Sequence, residues 1–229
     1  MAWTKQGKKS YALSWSIGFL AATAQWVFYL NGDWFESPEV HSLVTKAFAL
    51  TLLTLLIRGH CQRSECKRLP KNLWPFAGLI YAGIVWTTMF DPHIGISKAL
   101  VPATASVTFL LSALMIIRHR EVTRAAEWAA AASMVLFGLA QAVATSAALL
   151  QGVGGDPFYE SIYMHYNYLM LPAGYMATGM FVVFILASDL SEQVKELANH
   201  DQLTGVVNRH GLNDRGEVVA AVCEGSDLH

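Results

Sequence analysis

Charge is scarce in this chain. Of its 229 residues only 14% are Asp, Glu, Lys or Arg, against about 25% in an ordinary soluble domain. That scarcity excludes a water-facing surface over most of the protein. The balance of 16 basic against 17 acidic residues says nothing about partners, because the charges are segregated along the chain; no nucleic-acid partner is expected. Cysteine is equally sparse. Cys61, Cys66 and Cys223 are the only three, and none falls in a segment assigned outside the cell, so disulfides are not expected. A cleavable leader is missing as well. The first apolar run, Tyr11–Leu30, is long enough to span a bilayer and ends without a small-residue cleavage site, so it reads as a first membrane helix that also serves for targeting. Period-two alternation is absent, which argues against barrel strands.

Apolar residues are what the chain has in quantity: 54% of the total, with a mean hydropathy of +0.35. A spanning helix needs about 20 mostly apolar residues. Six runs qualify: Tyr11–Leu30, Val40–Ile57, Leu73–Phe90, Ile96–Ile117, Ala125–Leu150 and Ile162–Ala187. Continuous runs in lipid favour helices, which satisfy their own backbone groups. The expected class is therefore an all-α, polytopic membrane protein with six transmembrane helices.

The basic residues orient it. Lys5, Lys8 and Lys9 precede the first run. Arg58, Arg63, Lys67, Arg68 and Lys71 sit in the second connection, and Arg118, Arg120 and Arg124 in the fourth. Against these eleven, the odd-numbered connections hold only Lys98. Both termini are expected in the cytoplasm. The outer connections carry Asp33, Glu36, Glu39, Asp91, Asp156 and Glu160. Aromatic residues from Trp26 to Phe35, at Trp86 and Phe90, and from Phe158 to Tyr168 gather at that outer side, where amphipathic rings prefer to lie.

Three histidines, His41, His93 and His165, fall at outer helix ends at similar depth. With nearby carboxylates they form a candidate shell for a metal ion, or two of them for a haem. Interfacial histidines bonded to water or loop carbonyls are the plainer alternative. The triplet Met164-His165-Tyr166 resembles a motif repeated in a membrane sensor family proposed to bind copper; one copy is present here. Lys46 is an anomaly of another kind, a charge about two turns into the second run. Such a group costs several kcal/mol unless paired or snorkelling. It is expected either to reach Glu39, Asp91 or Glu160, or to hold an anionic ligand together with Lys98. Gln141 and Asn167 are expected to bond between helices. Pro172 is a candidate kink. His60, Cys61 and Cys66 form a loose cluster, in a basic stretch suited to anionic headgroups.

After Ala187 the composition turns polar. Residues 188–200 read as a cytoplasmic linker helix, with Leu190, Val194 and Leu197 in coiled-coil spacing. Then comes His200-Asp-Gln-Leu-Thr-Gly-Val-Val-Asn-Arg-His210. Gly205 suits a sharp turn, and Asn208 can cap the helix expected from Arg209.

Asp201, Leu203, Thr204, Gly205, Asn208 and Arg209 match the motif that opens GGDEF domains, and this stretch resembles the diguanylate cyclase family. The resemblance covers about 29 residues, 201–229. It implies a parent that joins two GTP into cyclic di-GMP with Mg. The metal aspartate, the guanine-reading residues and the signature loop of that family would lie beyond His229, so the chain as it stands is expected to be truncated and inactive. The expected organisation is a six-helix sensor domain at 1–187, the linker at 188–200 and the start of a GGDEF domain at 201–229. The implied function is the input half of a cyclic di-GMP signalling protein in the bacterial inner membrane. It is expected to dimerise through the linker and the membrane helices. A small-molecule transporter and a haem- or metal-binding redox protein remain the alternatives.

Overall fold

A computed structural model describes residues 10–64, 72–118 and 125–198. Among them every regular element is helical: α1 (Ser10–Leu30), α2 (Pro38–Arg63), α3 (Leu73–Val85), α4 (Ile94–Arg118), α5 (Ala125–Leu150), α6 (Pro157–His165) and α7 (Leu171–Ala198). Among the described residues six helices are long and apolar enough to cross a membrane. The chain divides into two compact units, Met1–Val182 and Val183–His229. The first contains everything described below as a site.

Local chemistry fixes the helix starts. Ser37 accepts a hydrogen bond from the Val40 amide at 3.2 Å, with Pro38 in the first turn of α2. Asp156 accepts from the Phe158 amide at 2.8 Å, with Pro157 likewise placed in α6. A capping oxygen satisfies an otherwise orphaned donor, and proline loses nothing at that position. α5 ends where Gly152 and Gly155 take positive φ values of 66° and 78°, a conformation that only glycine adopts freely.

Two π turns interrupt the helices. Trp86–Phe90 closes α3, and Tyr166–Met170 joins α6 to α7. The last helical stretch therefore begins at Pro157, five residues before the expected Ile162, because Asp156 and Pro157 start a helix on polar ground that a hydropathy count passes over. Pro102 stands inside α4 and cannot donate to the Lys98 carbonyl.

α2 is the central helix: 56% of its span is buried, against 6% for α3. α1 lies along α2 through small contacts. A Cβ on Gly59 would stand 2.3 Å from the Trp15 indole nitrogen, which itself donates to the Leu56 carbonyl at 3.2 Å. α4 and α5 approach as closely, for a Cβ on Gly95 would meet the Ala148 carbonyl at 2.7 Å. Small residues permit such packing in lipid. Leu43, Leu50 and Ile84 join α2 to α3. Outside, Leu20, Leu79, Leu114, Leu136 and Met176 are exposed. Water tolerates such a belt poorly.

The connections following α1, α3 and α5 meet at one end, hereafter the acidic end. Gly95 donates to the Gly152 carbonyl there at 2.9 Å, and His41 reaches the Phe28 carbonyl at 3.1 Å. At the opposite, basic end, α2 runs six residues past the expected Ile57, to Arg63. The reason is a buried ion pair. Arg63 Nη2 lies 2.6 Å from Glu127 Oε1 of α5, with side chains 4% and 3% exposed. Arg63 is thus turned into the bundle instead of toward lipid headgroups. Its neighbours are buried too: His60 packs on Trp15, and the Cys61 thiol donates to Met115 Sδ at 3.7 Å. Cys66 lies outside the described residues.

Candidate functional site

A cavity of about 380 Å³ opens between α1, α2, α4, α5 and the α6–α7 stretch, and both π turns contribute to its wall. Small-molecule sites start at about 300 Å³. The cavity is polar toward the acidic end, where His41, Lys46, Thr88, His93, Ser97 and Lys98 line it, and apolar farther in, at Leu53, Ala105, Phe109 and Phe137.

Its two lysines are treated differently. Lys98 Nζ lies 2.5 Å from Glu160 Oε2, reaches Gln151 Oε1 at 3.4 Å and sits 5.6 Å from the centre of the Tyr163 ring. Its charge is therefore matched. Lys46 Nζ instead donates to Ser97 Oγ at 2.8 Å, and Ser97 shares a 2.9 Å hydrogen bond with Thr88. No carboxylate pairs with Lys46 among the described residues. The expected reach to Glu39, Asp91 or Glu160 is not made: Glu160 is taken by Lys98. An ammonium carries three donors, and a hydroxyl partner balances none of its charge.

The polar wall continues on α1 and α7, where Tyr175 donates to Gln25 Oε1 at 3.3 Å. Gln141 of α5 is only 2% exposed, and its Oε1 has no hydrogen-bond partner. The interhelical bond expected of it is not formed through that oxygen. Asn167 also departs from expectation, donating to the Tyr163 carbonyl of its own helix at 3.1 Å.

The chain matches no family model, no curated protein and no solved structure. The functional case therefore rests on the residues themselves.

The three acidic-end histidines are held separately. His41 bonds the Phe28 carbonyl and packs between Tyr29 and Phe35. His93 Nδ1 accepts from the Ile96 amide at 3.2 Å, at the start of α4. His165 Nδ1 donates to the Ser161 carbonyl at 2.6 Å. Among the described residues no group of three or more His, Cys, Asp and Glu side chains is arranged to hold a metal ion. His41 and His93 do line the cavity. The motif residues Asp201, Leu203, Thr204, Gly205, Asn208 and Arg209 lie outside the described residues.

Sequence reasoning singled out Lys46 but missed Ser97 and Thr88, which position it. Serine and threonine in apolar helices mostly bond their own backbone, as Thr51, Thr54 and Thr104 do here. Nothing in the sequence marks the exception. Glu127, a carboxylate inside an apolar run, was a visible signal that called for a buried cation.

Proposed function

We propose that this chain is a ligand-sensing input module of a membrane signalling protein with a cyclic di-GMP output. In this reading it sits in a bacterial inner membrane with both termini cytoplasmic, and it works as a homodimer. The ligand enters the cavity from the acidic, outer side. The Asp201–Arg209 motif begins the output domain.

One observation carries the sensing half. Lys46 holds a charge without a carboxylate partner in a cavity sized for a small molecule. A buried cation of this kind is costly in a membrane and marks a functional site by default. Further support comes from the wall of that cavity. Asn167 and Met170, in the π turn that leads into α7, both line it, and π turns recur at functional sites. α7 then continues to Ala198, shortly before the motif in sequence.

The test is a chimera that joins residues 1–200 to a complete diguanylate cyclase domain. Cyclic di-GMP production in membrane vesicles is expected to change when a cavity ligand is added, and to lose that response in Lys46→Met. Output that is indifferent to every ligand binding the cavity would remove the signalling assignment.

A further inference from the structure

Two features of the cavity give its ligand a shape. The first is Lys46, whose charge is unmatched while that of its neighbour Lys98 is matched by Glu160. The site therefore calls for one negative charge. The second is the inner part of the cavity, where Leu53, Ala105, Phe109 and Phe137 offer only apolar side chains.

The packing of α4 on α5 sets the distance between them. The Phe109 and Phe137 rings lie 6.3 Å apart, a Cβ on Gly138 would touch Leu110 and Ser106, and one on Gly95 would touch Ala148. In that antiparallel register Gln141 stands opposite Ala105. Ser97, the partner of Lys46, precedes Ala105 by eight residues on α4, a rise of about 12 Å. Inward from Ser97 the wall is apolar, with Leu53, Val101 and Ala105 on it and Phe109 and Phe137 one turn deeper.

We infer that the cavity binds an elongated organic monocarboxylate, its carboxylate on Lys46 beside Ser97 and its apolar body running inward toward Phe109 and Phe137. The ligand class rests on the sensing site proposed above and adds its chemistry.

Purified full chain in lipid nanodiscs tests this, with decanoate, ω-hydroxydecanoate and decanol as probes and saturable thermal stabilisation as the readout. Decanoate is expected to bind at least about tenfold more weakly to Lys46→Met, the scale of a lost hydrogen bond to a charged group, and within a few-fold of normal to Lys46→Arg. That second variant guards against a folding artefact. The ω-hydroxy acid is expected to bind more weakly than decanoate, because its hydroxyl would lie against the apolar inner wall; equal or tighter binding overturns that placement of the body. Decanoate binding that is unchanged in Lys46→Met, or decanol binding with the same dependence on Lys46, overturns the class. Absence of saturable binding by either acid to the folded chain does so too. Carboxylate binding through Lys46 with constant output from the chimera upholds the class and defeats only the signalling role.

Discussion

The ion pair between Arg63 and Glu127 offers the sharpest test of how the bundle is held at its basic end. At 2.6 Å, two unit charges attract by about 6 kcal/mol at an effective dielectric of about 20. Both side chains are almost wholly enclosed, at 4% and 3% exposure, so most of that attraction offsets the loss of their hydration. The net value of the pair is small, whereas the cost of breaking it is large. Glu127→Ala takes one carboxylate away from the guanidinium in a closed site and is expected to destabilise by about 3–5 kcal/mol. Arg63→Met, which takes the guanidinium away from the carboxylate, belongs in the same range. Arg63→Met combined with Glu127→Leu removes both charges and keeps the volume filled. It is expected to recover most of the loss, ending within about 1 kcal/mol of the native chain or above it. Unfolding followed by tryptophan fluorescence during denaturing-detergent titration, on all three variants, supplies the cycle. A double variant that loses the sum of the two single losses refutes the account, since it would mean the residues act independently.

Three further outcomes are expected. Gly59→Ala drives a methyl against the Trp15 indole and is expected to lower stability by about 1–3 kcal/mol, while Gly78→Ala, with nothing within 4 Å of the added carbon, is expected to be neutral or slightly stabilising; thermal midpoints in one detergent distinguish them. Ser37→Ala removes the cap on α2 and is expected to cost about 1 kcal/mol, a loss that Ser37→Asp avoids in the same melt. Lys98→Met breaks a pair whose side chains are 28% and 29% exposed, so solvent screening holds its cost below about 1 kcal/mol, and added salt is expected to shrink the difference in midpoint further.

The spans were legible because lipid imposes a simple demand: any segment crossing it must be apolar for about 20 residues. Tyr11–Leu30 and Leu73–Phe90 were read almost to the residue against Ser10–Leu30 and Leu73–Phe90. The demand weakens at helix ends, and there the reading failed. α2 continues through Arg58, His60 and Arg63, which a hydropathy count discards. Lys46 was conspicuous for its chemistry, but its partner was not: the sequence pointed to Glu39, Asp91 or Glu160, and only packing brings Ser97 to it. The histidines illustrate the opposite trap. His41, His93 and His165 were expected to share a depth, yet depth fixes one coordinate of three. The rings are held by different helices and by their own nearby carbonyls and amides.

The π turn at Tyr166–Met170 also alters how the last helix is to be counted. Each π turn takes up one residue more than an α turn, and one residue of α-helix is a rotation of about 100°. Side chains on α6 and on α7 as far as Val182 that look in phase on a simple helical wheel from Pro157 are therefore out of phase by roughly that angle. The helical wheel of α7 has its own origin, at Leu171. Winding in such a helix changes in whole residues and not by degrees. Deleting a single residue between Tyr166 and Met170 is thus the smallest edit that brings the two segments back onto a common wheel.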